Sequence, residues 1–445
     1  MHVFFTNLGC KLNQAEVDAL SRRFVAAGHR LAPRLEDADL HVINSCTVTH
    51  VAARDSRKIA RRGGRLERPV RTVLTGCYAT DSPEEAARLA GVDLVVPNDA
   101  KERLLELVHE RFPDASPEEQ PEGEHGPPGF VPLQYGNARA LVKVEDGCNM
   151  RCAFCIIPST RGRQRSRTVD EVVAEVQALA VGGYPEVVVT GVQISEYDDD
   201  GHRLYDLVAA LLEHTDVPRL RLTSIAPWKF DDRLLALWRD PRLCRHIHMS
   251  LQSGSTATLR RMRRPYSAPQ YEALAERLRA AIPGLALTTD VIVGFPGETT
   301  EEFAESLSFV ERMAFANPHI FAYSQREGTH AATLPDQVPP PEKKARMAAM
   351  LAVAAASEEA FHRAQVGATL EVVWEDRRRD RWRGLSDNYV RVFADLDDAA
   401  DLTGRLERVV VRDADARGVT VERRAPKVAN SSAPSARAPL LHVLS

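Results

Sequence analysis

The sequence lacks any run of about 20 consecutive apolar residues, the length a membrane-spanning helix needs, so no membrane association is expected. It also lacks an excess of either charge. Its 58 Lys and Arg stand against 62 Asp and Glu, a net charge of −4. That balance excludes a uniformly basic nucleic-acid binder but leaves room for local basic faces. Cysteine is scarce: seven in 445 residues is odd-numbered and too few for a disulfide scaffold, and it fits a reducing cytoplasm. The start, Met1-His2-Val3-Phe4-Phe5, has no charged segment ahead of a long apolar one, as a signal peptide would. What is present, 44% hydrophobic residues over this length, implies ordinary globular cores in two or three domains.

Three of the few cysteines fall in one stretch, Cys148-Asn149-Met150-Arg151-Cys152-Ala153-Phe154-Cys155, directly after the strand-like run Ala140–Val144. Thiolates are soft ligands that select zinc, copper(I) or iron–sulfur clusters. A structural zinc usually takes four protein ligands, but no fourth Cys lies nearby and no His occurs between His125 and His202. A local triad suits a cubane iron–sulfur cluster with one iron left open. The bland alternatives are three buried structural cysteines, or a zinc completed from elsewhere in the chain.

The surrounding sequence reads as α/β. Residues 1 to about 112 alternate short apolar strands with helices, the pattern of a small doubly wound, Rossmann-like domain with a parallel sheet. Cys10, Cys46 and Cys77 each follow a strand of this domain, so they are expected at one edge of its sheet, where such folds bind ligands. They could equally be unrelated core residues. Residues 113–136, rich in Pro, Glu and Gly, read as a linker. From 137 to 364 six strand-like runs alternate with helices, as in a partial (β/α)6 barrel, with active residues expected at the strand carboxyl ends. Thr168 with Glu171, and Thr299 with Glu302, carry helix-starting capping boxes. Residues 365–425 show short strands and suggest a small all-β barrel, and the tail 426–445 should be disordered. Cys244 has no partner motif and reads as a buried structural residue. The histidines are scattered, with no recognisable ligand pair.

The run Glu145-Asp146-Gly147-Cys148 to Cys155-Ile156-Ile157-Pro158, followed by Arg161-Gly162, resembles the methylthiotransferase family of radical S-adenosylmethionine (SAM) enzymes. So do Asn7-Leu8-Gly9-Cys10, Asn44-Ser45-Cys46 and Thr75-Gly76-Cys77, and the segment Gly384–Val392 is similar to the RNA-binding TRAM domain. The resemblance implies two 4Fe–4S clusters, one on Cys10, Cys46 and Cys77 and one on Cys148, Cys152 and Cys155. It implies SAM contacts at Thr190 and Gly191, at Gln252 and Ser253, and at Val293 and Gly294. Each of those turns, taken alone, also reads as an ordinary turn. One SAM would methylate a sulfur on the first cluster, and a second would yield the radical that removes hydrogen from the target carbon.

Basic clusters point the same way. Arg377-Arg378-Arg379-Asp380-Arg381-Trp382-Arg383 combines cations with an aromatic, as phosphate contact plus base stacking requires. Residues 365–427 nevertheless balance at 13 basic and 13 acidic, so a solvated hairpin tip is the alternative. Further basic groups surround Arg57, Arg163 and Arg261.

The words His248–Ser255 and His319–Thr329 look closest to the branch acting on N6-threonylcarbamoyladenosine at position 37, in the tRNA anticodon loop. That branch would produce the 2-methylthio derivative, with a donor such as flavodoxin or ferredoxin supplying electrons and no role for DNA. The rivals within the class are isopentenyladenosine in tRNA and an aspartate of a ribosomal protein. Outside it stands a non-catalytic, zinc-dependent RNA-binding protein.

Overall fold

The computed structural model describes residues 1–115, 138–395 and 401–423. The expected tail, and the expected linker beyond residue 115, lie outside the described residues. Among those described, no helix is long and apolar enough to cross a membrane.

The first unit is a five-stranded parallel sheet of β1 (His2–Asn7), β2 (Arg30–Leu31), β3 (Leu40–Ser45), β4 (Arg71–Gly76) and β5 (Leu94–Val96). The strand order β2-β1-β3-β4-β5 is that of a doubly wound sheet whose order reverses beside β1. The central strands carry apolar side chains on both faces because helices cover both. Val3, Phe5, Val42 and Val73 pack with Val17, Leu20 and Phe24 of the helix Lys11–Ala26. Ile43 and Leu74 pack on the other side with Ala53, Ala60 and Tyr78.

The second unit begins with β6 (Arg139–Lys143) and a short hairpin of β7 (Glu145–Asp146) and β8 (Arg165–Ser166). Then follow β9 (Glu186–Thr190), the hairpin β10 (Asp198–Asp199) and β11 (His202–Arg203), β12 (Arg219–Leu222), β13 (His246–His248), β14 (Ala286–Val293) and β15 (Asn317–Ala322). Two parallel three-stranded sheets, β12-β9-β6 and β13-β14-β15, are joined by single parallel bridges Leu220–Leu243 and Ile225–Met249. The six parallel strands thus form the expected partial barrel. Both anticipated capping boxes are made, at Thr168 with Glu171 and at Thr299 with Glu302. A long helix, Pro340–Arg363, packs Met350 and Ala354 into the barrel's outer core.

The third unit is a closed barrel of β16 (Thr369–Arg378), β17 (Arg381–Ser386), β18 (Arg391–Asp395), β19 (Leu406–Asp415) and β20 (Gly418–Glu422). It sits under the amino-terminal end of the larger barrel. There Arg219 and Arg221, both fully buried on β12, pair with Glu186 at the start of β9. They also donate to the carbonyls of Glu371, Leu385, Ser386 and Asp387. Tyr389, at a positive φ of 63°, stacks on His246 with ring centroids 4.1 Å apart. The Gly384–Val392 segment therefore closes the barrel floor.

Candidate functional site

Cys10, Cys46 and Cys77 follow β1, β3 and β4, three neighbouring parallel strands, so all three leave the sheet at its carboxyl edge. Gly76 at φ 94° turns β4 into the helix Cys77–Asp81, and a Cβ there would collide with the Ser45 carbonyl. The Cys10 loop lies on Cys46: a Cβ on Gly9 would sit 3.1 Å from Cys46 Sγ. Burial pushes the Cys46 thiol up to about 11, with Cys77 and Cys10 adding to the shift. A metal centre bound here would take these cysteines as thiolates, and its positive charge would offset the cost of burying them.

The second triad occupies the loop after β7. The loop is pinned where the Ala153 amide donates to the Met262 carbonyl at 3.0 Å and the Ala153 carbonyl accepts from the Ala331 amide at 2.7 Å. Burial, with Cys152 and Cys148 adding to the shift, pushes the Cys155 thiol up to about 12. Arg264 donates from Nη1 to Cys152 Sγ at 3.2 Å, with its guanidinium over the Trp228 ring at 4.7 Å. In the sequence Arg264 belongs to the basic group around Arg261, which is expected to face RNA. Only the fold turns it inward.

A single tetrahedral zinc with bonds near 2.3 Å holds its sulfurs about 3.8 Å apart. Among the described residues, the one group of three ligand atoms all within 4.8 Å of one another is His248, Asp290 and His319. The thiolates of an iron–sulfur cluster bind different irons, and each cysteine triad offers three such ligands. The sequence reading had found no histidine ligand pair. This triad comes from three separate strands and has no linear signature.

Carboxyl ends of the barrel strands bring together the other expected residues. Thr190 ends β9, and a Cβ on Gly191 would collide with Glu145 Oε2, so the strand end and β7 touch. Glu145 is buried. Its Oε2 accepts the Gln193 amide at 3.0 Å, while Oε1 has no partner. Burial raises its carboxyl to about 7. Gln252, at φ 72°, bridges to Val291, and its backbone bonds Asp290 and Ile292. Ser253 is buried beside it, and Val293 and Gly294 end β14. A cationic amino group fits the orphaned Glu145 oxygen.

The two cysteine triads are tied through one arginine. The helix Ile157–Arg161 starts two residues after Cys155, and its last residue, Arg161, is buried. Arg161 donates to Glu16 Oε1 and Asp146 Oδ1, each at 2.9 Å, and to Asn13 Oδ1 at 2.6 Å. Asn98 donates from Nδ2 to the Thr160 carbonyl at 2.8 Å, with Cys77 Sγ 3.8 Å from the same nitrogen.

Comparisons with known proteins show the family. Residues 142–310 match the Radical SAM superfamily model, and residues 2–97 match the uncharacterized protein family UPF0004. The chain is 35% identical, over 92% of its length and 93% of the relative's, to threonylcarbamoyladenosine tRNA methylthiotransferase MtaB of Bacillus subtilis. The chain belongs to the radical SAM methylthiotransferase family. It is also 34% identical to tRNA-2-methylthio-N(6)-dimethylallyladenosine synthase of Geobacillus thermodenitrificans, over 77% of this chain and 68% of that one. Among solved structures, the radical SAM methyltransferase TsrM of Kitasatospora setae superposes with a TM-score of 0.53 at 15% identity, covering 72% of this chain and 74% of that one. As a member, this methylthiotransferase is an enzyme that uses SAM and 4Fe–4S chemistry to methylthiolate tRNA.

A cleft of about 970 Å³ opens in the methylthiotransferase where the three units meet, and it reaches Cys10. Lys11, Arg139, Arg378, Arg381, Arg391 and Arg417 line it, against Glu375, Asp376 and Asp415. The expected RNA-contacting run divides across its rim. Arg377 and Arg378 end β16, Arg379 takes the turn at φ 53°, and Arg381 and Arg383 lie on β17. Arg383 pairs with Asp376. Trp382 corrects the sequence expectation of base stacking: it is 5% exposed and packs inside the small barrel with Trp374 and Val392. β17 alternates inward and outward, and its arginines masked that half-buried strand. Basic groups inside and outside the cleft are largely paired, Arg139 with Glu375 and Arg417 with Asp415 within it, Arg167 with Glu175 and Arg261 with Glu302 elsewhere. Cys244 is buried, as expected.

Proposed function

We propose that the chain methylthiolates carbon 2 of N6-threonylcarbamoyladenosine at position 37, in the anticodon loop of tRNA, in the cytoplasm. It uses two 4Fe–4S clusters, one on Cys10, Cys46 and Cys77 and one on Cys148, Cys152 and Cys155. The observation that carries this reading is the meeting of two cysteine triads, locked by buried Arg161, with a basic cleft that reaches Cys10. The choice of substrate is supported by the extent of similarity. Two relatives named for threonylcarbamoyladenosine, of Bacillus subtilis and Aquifex aeolicus, align over 92% of the chain, and a third, of Thermotoga maritima, over 76%. Those named for dimethylallyladenosine align over 76–77%.

When bound, the clusters and SAM supply the radical and sulfur chemistry. The chain's own residues bind and orient. Thr190 and Gly191, Gln252 and Ser253, and Val293 and Gly294 form the strand-end bed for SAM, and Glu145 Oε1 takes its ammonium group. Arg264 sets a positive charge beside Cys152, and the cleft arginines hold the RNA phosphates while the single-stranded loop presents its purine. A flavodoxin or ferredoxin supplies electrons.

Digested tRNA from a deletion strain and its complemented partner, compared by mass spectrometry, tests the proposal. Loss and return of 2-methylthio-N6-threonylcarbamoyladenosine is expected. An unchanged level overturns the substrate. The same digest then shows whether isopentenyladenosine has lost its methylthio group, before the ribosomal protein is considered.

A further inference from the structure

The inner face of the barrel's second half carries a polar step and an apolar step at successive registers. Asp290 on β14 pairs with His319 on β15, and two residues further along Ile292 pairs with Phe321. Strand alternation sends Leu287, Val291, Val293 and Ile320 into the outer, helix-covered core. Asp290, Ile292, His319 and Phe321 therefore face the lumen.

Asp290 accepts from His248 Nε2 at 3.3 Å and from His319 Nδ1 at 3.1 Å. A carboxylate only accepts, so those two nitrogens carry the protons. His248 Nδ1 is taken by Thr288 Oγ1 at 3.1 Å. His319 uses Nδ1 for Asp290, which leaves Nε2 for a further hydrogen bond on a side chain 40% exposed. Phe321, two residues nearer the strand end, is 45% exposed. An aromatic side chain bare to that degree on a barrel strand, directly beyond a fixed imidazole, offers a flat apolar surface with one polar atom at its margin. A splayed purine bearing a polar substituent has that same division of surface.

We propose that Phe321 and His319 form the seat of the target base: Phe321 stacks on the purine, and His319 Nε2, oriented by Asp290, hydrogen-bonds the polar group on its N6. The His319 half rests on the threonylcarbamoyladenosine reading above, whereas the Phe321 half needs only a purine in RNA. Both residues position substrate and neither touches the clusters' cysteines.

The test uses reconstituted holoenzyme and anticodon stem–loop RNAs carrying threonylcarbamoyladenosine, isopentenyladenosine or plain adenosine at the target. KM, kcat, iron content and the ratio of 5′-deoxyadenosine to methylthiolated product are read for each. Phe321→Ala should raise KM roughly ten-fold or more on the preferred RNA and increase unproductive 5′-deoxyadenosine, with iron content unchanged. Phe321→Tyr should restore both. His319→Ala should lose the preference for the carbamoylated RNA over plain adenosine. An unchanged KM in Phe321→Ala, or an equal rise on all three RNAs in His319→Ala, overturns the seat. So does a divalent metal other than iron that is present in wild type and lost in His319→Ala, because the triad would then be an ion site. Wild type acting on the isopentenyl RNA alone refutes the substrate reading, and the Phe321 arm is then decided on that RNA.

Discussion

Arg161 and Glu16 form a buried ion pair, Nη1 to Oε1 at 2.9 Å, between the barrel and the amino-terminal sheet unit. Burial alone would raise the Glu16 carboxyl, but Lys101, Arg161 and Lys143 hold it well below its ordinary value of 4.5. Removing one partner of such a pair leaves a charge in a dry interior. Arg161→Met should therefore destabilise the protein by about 3–5 kcal/mol, read from the urea midpoint of the cluster-free protein. A depressed carboxyl stabilises above its unfolded pKa and stops doing so as pH falls. Wild type should accordingly lose this contribution progressively below about pH 4.5, and Arg161→Met should show a shallower acid loss. A midpoint unmoved by the substitution would mean the two units are held together by other contacts.

Glu145 gives the opposite sign. Burial raises its carboxyl to about 7, so the folded protein binds a proton more tightly than the unfolded chain. Its contribution is full at low pH and lost as pH rises from about 4.5 to 7. Glu145→Gln keeps an acceptor for the Gln193 amide without the charge. Cluster-free Glu145→Gln should gain on wild type across that window, by about 3 kcal/mol at most, in thermal melts at pH 5 and pH 8. Parallel melts at both pH values would show that the carboxylate is solvated or paired.

The order of units and most barrel strands were legible because buried parallel strands are short apolar runs and their helices begin with side-chain caps. Cys10, Cys46 and Cys77 could be placed at one edge without coordinates, since each follows a strand of one parallel sheet. What hid in the sequence depends on tertiary direction. Arg264, in a surface-like basic run, turns in toward Cys152. Trp382, flanked by arginines, turns into a core. His248, Asp290 and His319 lie far apart in sequence and meet side by side only because their three strands are neighbours in one sheet. Gly384–Val392 carried a family resemblance but no sign that it would close the barrel floor.

The two triads should be separable by metal analysis. Anaerobically reconstituted wild type is expected to hold about eight irons with equal sulfide. Cys10→Ala with Cys46→Ala and Cys77→Ala should leave about four, and the corresponding change at Cys148, Cys152 and Cys155 should leave the other four. SAM cleavage should survive the first change only. Zinc without sulfide in wild type would refute both assignments.

Tyr389 joins the small barrel to the larger one by its ring more than by its hydroxyl. The ring lies 4.1 Å from His246 between centroids, while Lys11 Nζ donates to the hydroxyl at 3.3 Å. Tyr389→Ala should cost about 3 kcal/mol or more, and Tyr389→Phe about 1 kcal/mol or less. Equal losses in thermal melts would assign the contact to the Lys11 bond instead.

The cleft beside Cys10 makes an electrostatic prediction that separates phosphate contact from base recognition. Arg378 and Arg417 line it and are largely exposed, so reversing their charge should leave the fold intact. Each phosphate contact contributes about one unit to the slope of log affinity against log salt. Arg378→Glu and Arg417→Glu should each weaken tRNA binding and flatten that slope by about one or more, because the new carboxylate also repels phosphate. A reduced affinity with an unchanged slope would point to a distorted site, and no change in either would place the RNA on another face. The effect should be the same for tRNA with and without the N6 modification, since phosphates carry no information about the base. That equality separates these cleft residues from Phe321 and His319, whose substitution should act on the base itself.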